Sequence, residues 1–376
     1  MALNATLFPT MSEKPFIIDS HCDLAWNMQT YGRDYTRSAA ETRRLEKGSA
    51  VPESNGDSLI GWPDYQRGRV ALVFSTLFAS PARARMGAWD TVVYSDYEEA
   101  HRLYLDQLHL YRQLADSKPD HFRLILNTKD LRHHMDEWGS PEKKDHPVGL
   151  LPLMEGADAI RSPAELEEWY SLGLRLIGLA WAGTRYAGGT REPGPLTEEG
   201  RRLLKAMASF NFTLDLSHMD EQSALEALDL YEGPLAASHA NCLALLPNFP
   251  TNRHLSDRVM RGLIERDGVI GIIPVNSFLK SGWSLSRGGR RDEVTLDVVA
   301  AHLDHVCQLA GDARHVGLGT DFDGGFGLQS VPPELDTIAD LQKLVPLLVA
   351  RGYSESDAAY ILGGNWLNFL EKNLPS

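Results

Sequence analysis

"FIIDSHCDLAWN", residues 16–27, runs from an apolar stretch into a burst of polar side chains. In an extended strand residues i and i+2 point the same way, so His21 and Asp23 would present an imidazole and a carboxylate to one point. A His–Asp hydrogen bond capping a strand explains the pair equally simply, and a lone His-x-Asp is a weak motif. The reading turns on whether other strands in the chain end in the same kind of side chain.

They do. Apolar runs at 16–20, 70–77, 148–154, 174–180, 212–217, 235–239, 269–275 and 315–320 read as strands. Helical patterns separate them: Tyr97–Ser117 carries Tyr104, Leu108 and Tyr111 on one face, and 197–209 opens on Thr197 as N-cap. Further helices are expected at 220–230, 256–266, 295–310, 336–350 and 355–371. Eight strands alternating with helices, without repeat or strong linker, predict an α/β fold, one (β/α)8 TIM barrel over 1–376. A doubly wound open sheet is the alternative. Residues 28–68, polar and without a clear period, are expected as a long loop, and 355–371 as a C-terminal helix.

In a barrel, catalytic groups sit where strands end, on the face built by the βα-loops. His21 and Asp23 follow strand one, Glu155 ("LLPLMEGAD") strand three, His218 ("TLDLSH") strand five and His239 ("AASHANC") strand six. Asp321 and Asp323 ("GLGTDFDGG") follow strand eight. Each alone has a plain explanation as a cap or turn; together on one rim they point to metal. Mixed nitrogen and carboxylate ligands suit zinc and disfavour calcium. Five or six ligands exceed what one catalytic zinc takes, so two ions sharing a carboxylate are expected, with a bridging water that loses a proton to become the nucleophile. His302 and His305 lie on a helix outside the barrel, His133 and His134 precede a strand, and His315 starts strand eight; these are expected to be structural or surface residues.

Net charge bounds the partners. Lys plus Arg number 37 against 51 Asp plus Glu, a net −14 with no basic cluster, which disfavours nucleic acid and anionic membranes. Three cysteines suit a reducing compartment. The N-terminal stretch shows no leader pattern, the C-terminus no anchor signal, and no apolar run spans a bilayer, so a cytoplasmic protein is expected, with a homodimer left open.

The motifs "DSHCDLAWN", "MEGAD", "DLSHMDEQS", "ASHANC", "NRHLSD", "GLGTDFDGG" and "GGNWLNFL", in this order, resemble the membrane (renal) dipeptidase family of zinc metallopeptidases, with the look of a soluble bacterial-type member. The resemblance implies His21 and Asp23 on one zinc, His218 and His239 on the other, and Glu155 bridging. It implies Asp321 touching the first zinc and relaying the proton, and Arg253 binding the substrate's terminal carboxylate. His254 matches no functional position and is expected at the surface. The pattern departs at Trp181, expected to contact substrate where mammalian members carry a substrate-contacting histidine, and at Phe278, where they carry a tyrosine. Arg185 and Tyr186 are weighed as replacement oxyanion donors, ordinary loop roles being the simpler reading.

The expected function is therefore a dinuclear zinc dipeptidase acting through a metal-bridging hydroxide, with L,D-dipeptides among the candidate substrates. The alternative is an amidohydrolase-type barrel enzyme acting on an N-acyl amino acid, cyclic amide, lactone or deaminase substrate. A metal-binding barrel without catalysis is disfavoured by Asp321.

Overall fold

The computed structural model describes residues 14–140 and 144–376. Eight parallel strands form its centre: β1 (Ile17–Cys22), β2 (Val70–Leu77), β3 (Val148–Glu155), β4 (Leu176–Gly178), β5 (Thr213–Asp215), β6 (Leu235–Ala236), β7 (Ile270–Ile272) and β8 (Val316–Leu318). Neighbours in sequence are neighbours in the sheet, and β8 pairs back onto β1. The last gap, between β6 and β7, closes through the Ala237–Ile270 bridge. Ala237 N–H donates to Val269 O at 2.9 Å there, and Gly271 N–H donates to Ala237 O at 2.8 Å. This is the predicted eight-stranded barrel. The strands are buried along their whole length, as in any parallel sheet covered on both faces, which is why they read as apolar runs rather than alternations.

Helices follow the predicted pattern closely. Tyr97–Ser117 is helical as read, and Glu198–Ser209 starts at Thr197, whose side chain accepts from Gly200 N–H at 3.0 Å. The last helical stretch is interrupted: Glu355–Ala359 passes through a wide turn at Tyr360–Gly364 into Asn365–Asn373. The cause is a close approach, since a Cβ on Gly363 would lie 2.7 Å from Phe16 O. Trp366 and Phe369 there join Ile18, Phe74, Leu151, Leu153 and Leu176 in one apolar cluster. Asn365 bonds Ala313 O and Val316 O, so this segment packs against the strand beginnings, opposite the rim that carries the candidate ligands.

One expectation about the fold needs correction. The stretch 28–68 is not a plain loop: Leu24–Tyr31 reaches into it, and Ala39–Glu46, Val51–Ser54 and Trp62–Gly68 are helical. Ala39–Glu46 buries only Ala39 and Thr42, too narrow a stripe to show a period. A short extra strand, Phe122–Leu124, also pairs with β3 beyond the barrel proper. The N-terminal stretch examined for a leader lies largely outside the described residues.

Candidate metal centre

All six expected ligands converge where the strands end. β1 carries His21 and Cys22 into Asp23, which stands at the N-cap of Leu24–Tyr31 yet makes no side-chain capping bond. A capping aspartate ordinarily accepts a backbone N–H of the first turn. This carboxylate is withheld from that use, and its buried Oδ1 has no hydrogen-bond partner among the described residues. Asp23 Oδ2 lies 3.6 Å from His21 Nε2, itself buried and without a hydrogen-bond partner among the described residues. Asp321 closes this half of the site, its carboxylate, the Asp23 carboxylate and the His21 ring offering atoms within 4.8 Å of one another.

Glu155 ends β3 and divides its two oxygens. Oε2 faces His21 Nε2 at 3.8 Å; Oε1 faces His218 Nε2 at 3.1 Å and His239 Nε2 at 3.3 Å. The two histidine Nε2 atoms stand 3.0 Å apart. Their surroundings fix the protons. Ser238 Oγ donates to Asp215 at 2.5 Å, so it accepts from His239 Nδ1–H at 2.8 Å, leaving Nε2 a bare lone pair. Thr190 Oγ1 donates to His218 O and accepts from His218 Nδ1 at 3.0 Å, with the same result. Two lone pairs and a carboxylate oxygen thus point at one spot with no donor between them, an arrangement that fits a divalent cation.

The electrostatics agree. Burial holds Glu155 well above the usual carboxylate range, and burial pushes Asp321 up to about 7, with His21 opposing and Asp23 adding to the rise. Burial, with Arg253 and His21 nearby, drops His218 and His239 well below their ordinary value, keeping them neutral. Burial works against a charged His21 too, but Glu155 and Asp23 overcome it and raise the imidazole to about 10. A bound cation would favour deprotonated carboxylates and neutral imidazoles throughout.

His218 and Asp321 adopt left-handed backbone, φ 64° and 56°, as does Asp323 at 63°. Such strain in non-glycine residues persists only where surrounding contacts over-determine it.

Arg253 is buried beside the second half, Nη2 donating to His239 O at 2.9 Å while Nε and Nη1 have no partner among the described residues. Its guanidinium lies over Phe278 at 5.6 Å. Trp181 packs on Phe78 with ring centroids 5.0 Å apart, and its ring lies 6.2 Å from that of His218. Arg185 is committed elsewhere, to Glu199 at 2.7 Å, and Tyr186 OH donates to Ile160 O, so both hold structural posts. Of the remaining histidines, His305 pairs with Asp257 and His134 bonds Ala71 O, away from the ligands.

His254 is the exception among the expected surface residues. It is buried between Phe249 and Phe278 and accepts Asn241 N–H, because the loop carrying Arg253 folds inward. Sequence reading also passed over Asp19 and Asp215. Asp19 accepts from Thr320 N–H and Oγ1–H at 2.7 and 2.6 Å; Asp215 anchors Ser238. A carboxylate inside an otherwise apolar strand was the available signal.

The membrane dipeptidase model, peptidase family M19, matches residues 8–373. The chain belongs to that family. It is a metallopeptidase, a hydrolase of the dipeptidase type. Among curated relatives, an uncharacterized protein of the pqqA 5' region of Klebsiella pneumoniae is 30% identical over 276 residues, 70% of this chain and 94% of that one. Dipeptidase aclJ of Aspergillus oryzae is 26% identical over 325 residues, 84% of this chain and 70% of its own. Among solved structures, a metallopeptidase of Rhodobacter sphaeroides bound to a phosphinate mimic of L-Ala-D-Ala aligns with TM-score 0.76 and 25% identity, covering 96% of this chain and all of that one (100%). Dipeptidase AC, also of family M19, aligns with TM-score 0.76 and 25% identity over 97% of this chain and 100% of its own. Among the described residues, no helix of this family member is long and apolar enough to cross a membrane.

Proposed function

We propose that the chain is a single barrel domain that cleaves dipeptides, L,D-dipeptides included, at a centre for two divalent cations, zinc being the natural choice. The observation that carries this reading is the division of Glu155, one oxygen toward His21 and the other toward His218 and His239. His21, Asp23 and Asp321 would hold one ion, His218 and His239 the other, with Glu155 shared. When bound, such cations acidify water and polarise a carbonyl. Asp321, its carboxyl shifted up to about 7 by burial, would take the nucleophile's proton and return it to the leaving amine. Arg253 offers Nε–H and Nη1–H, both buried and without a partner among the described residues, as charged donors for a terminal carboxylate. Trp181, packed on Phe78, would exclude water beside His218. The dipeptide mimic in the Rhodobacter relative supports the substrate class.

An N-acyl amino acid also carries that carboxylate, so Arg253 equally favours this second reading. The test sets zinc-loaded protein against L,L- and L,D-dipeptides, their C-terminal amides and N-acyl amino acids, with wild type and Arg253→Met. Dipeptides should be cleaved best. Arg253→Met should lose about 2–4 kcal/mol of transition-state stabilisation on the acids and little on the amides. Equal losses on acids and amides would remove the carboxylate assignment; cleavage of N-acyl amino acids alone would replace the substrate class.

A further inference from the structure

Asp323 has its side chain fully spent. Oδ1 accepts Leu59 N–H at 2.8 Å; Oδ2 takes Ser58 Oγ at 2.7 Å, Tyr35 OH at 3.2 Å and Arg33 Nη1 at 2.9 Å. The residue is completely buried. With its lone pairs committed to four donors it is no spare proton carrier, although it stands two residues from Asp321. All four donors come from the segment between β1 and β2. Arg33 fastens that segment to itself as well, gripping Glu46 at 2.8 and 2.9 Å and Gly56 O at 3.0 Å.

The backbone around Asp323 is pinned by the same segment. Asn27 Nδ2 donates both to Asp323 O at 2.8 Å and to Asp23 O at 3.0 Å, bridging the two loops that carry carboxylates of the metal centre. Asn55 bonds Asn27 Oδ1 at 2.7 Å and accepts Gly325 N–H at 2.8 Å. Between these pins sits Gly324, so tight against the centre that a Cβ would lie 2.1 Å from Asp321 Oδ1 and 2.6 Å from Asp23 Oδ2. The left-handed turn at Asp321 and Asp323 is thus held from outside the barrel.

We infer that Asp323 is a positioning residue: paired with Arg33, it locks the 33–59 segment onto the loop after β8 and thereby sets Asp321 and Asp23 relative to each other. The segment is a structural part of the metal centre rather than a decoration of the barrel. The inference rests on Asp321 serving dipeptide hydrolysis as proposed above.

The test compares wild type with Asp323→Asn, Tyr35→Phe and Ser58→Ala, the last two each removing a single donor so that folding is preserved. kcat and KM are measured separately per metal-loaded chain, and cobalt affinity is measured by visible absorption. Asp323→Asn should lower kcat about 10–100-fold, with KM within about threefold because Arg253 is untouched, and weaken cobalt binding about tenfold. The single-donor variants should lower kcat about 2–5-fold with melting temperatures near wild type. A merely structural role would cut the folded fraction and leave kcat per metal-loaded chain unchanged. Unchanged kcat and unchanged cobalt affinity in Tyr35→Phe, Ser58→Ala and whatever Asp323→Asn folds would overturn the inference. If wild type cleaves no dipeptide, the proposed function fails, and the cobalt measurement still decides the positioning role.

Discussion

Gly324 shows how much a single hydrogen can matter. Its φ is not in the left-handed region, so what requires glycine there is space: the Asp321 and Asp23 carboxylates occupy the volume a methyl would need. Gly324→Ala should therefore keep the fold but push the two carboxylates apart. Metal affinity should fall about 10–100-fold, the scale on which displaced supporting groups weaken metal sites. Isothermal titration with zinc, against a circular-dichroism melt in chelator, separates the two effects. Equal zinc affinity in the variant would show that the loop yields without cost. That the six candidate ligands gather on one rim was legible from sequence because each is a chemically distinctive side chain placed just after an apolar run. Asn27 was not, although it lies in the opening motif, because an amide bridging two backbone carbonyls leaves no spacing signal. His254 misled for a similar reason: a polar residue in a loop reads as exposed until the loop is seen to fold inward.

At the scale of elements, what could be read was what buries a wide apolar face. The eight strands and the long helices do so; the short helices of 39–68 and the strand Phe122–Leu124 do not, and are held by tertiary hydrogen bonds such as Arg43 Nε to Ser58 O at 2.7 Å. The helix Leu296–Ala310 was read correctly, but its His302 has a role no pattern reveals. His302 Nδ1 accepts Cys242 N–H at 3.1 Å, tying the helix to the loop after β6. Only the neutral ring can accept there, and burial, with His305 adding to it, lowers the group from 6.5 to about 4. The unfolded chain then binds the proton first. The stability due to neutral His302 is fully present above pH 6.5 and is lost as pH falls toward 4, by up to about 3 kcal/mol. Urea unfolding of wild type and His302→Gln in chelator at pH 7.5 and 4.5 should show the smaller pH loss in the variant. Parallel losses would mean that other groups set the acid limit.

For the whole molecule, the alternation of strand and helix predicted the barrel, and the family match over nearly all of the chain agrees with it. What alternation does not disclose is that the hoop is joined unevenly. β2 and β3 pair along six residues, whereas the β6–β7 junction relies on Ala237 and, just beyond it, on Ala240 N–H donating to Gly271 O at 2.8 Å. His239 lies between those two points. The ring of strands therefore has a clasp, and the candidate metal centre is built on it: a cation gripping His239 together with His218 and the shared Glu155 would bind the loose join to β5 and β3. Breathing of the barrel should then concentrate at this clasp and be damped by metal. Amide hydrogen exchange at Ala237, Ala240 and Gly271 should slow on adding zinc to chelator-treated protein, far more than at Leu151 or Leu153 in β3. Uniform protection across both regions would show that the ring opens only as a whole.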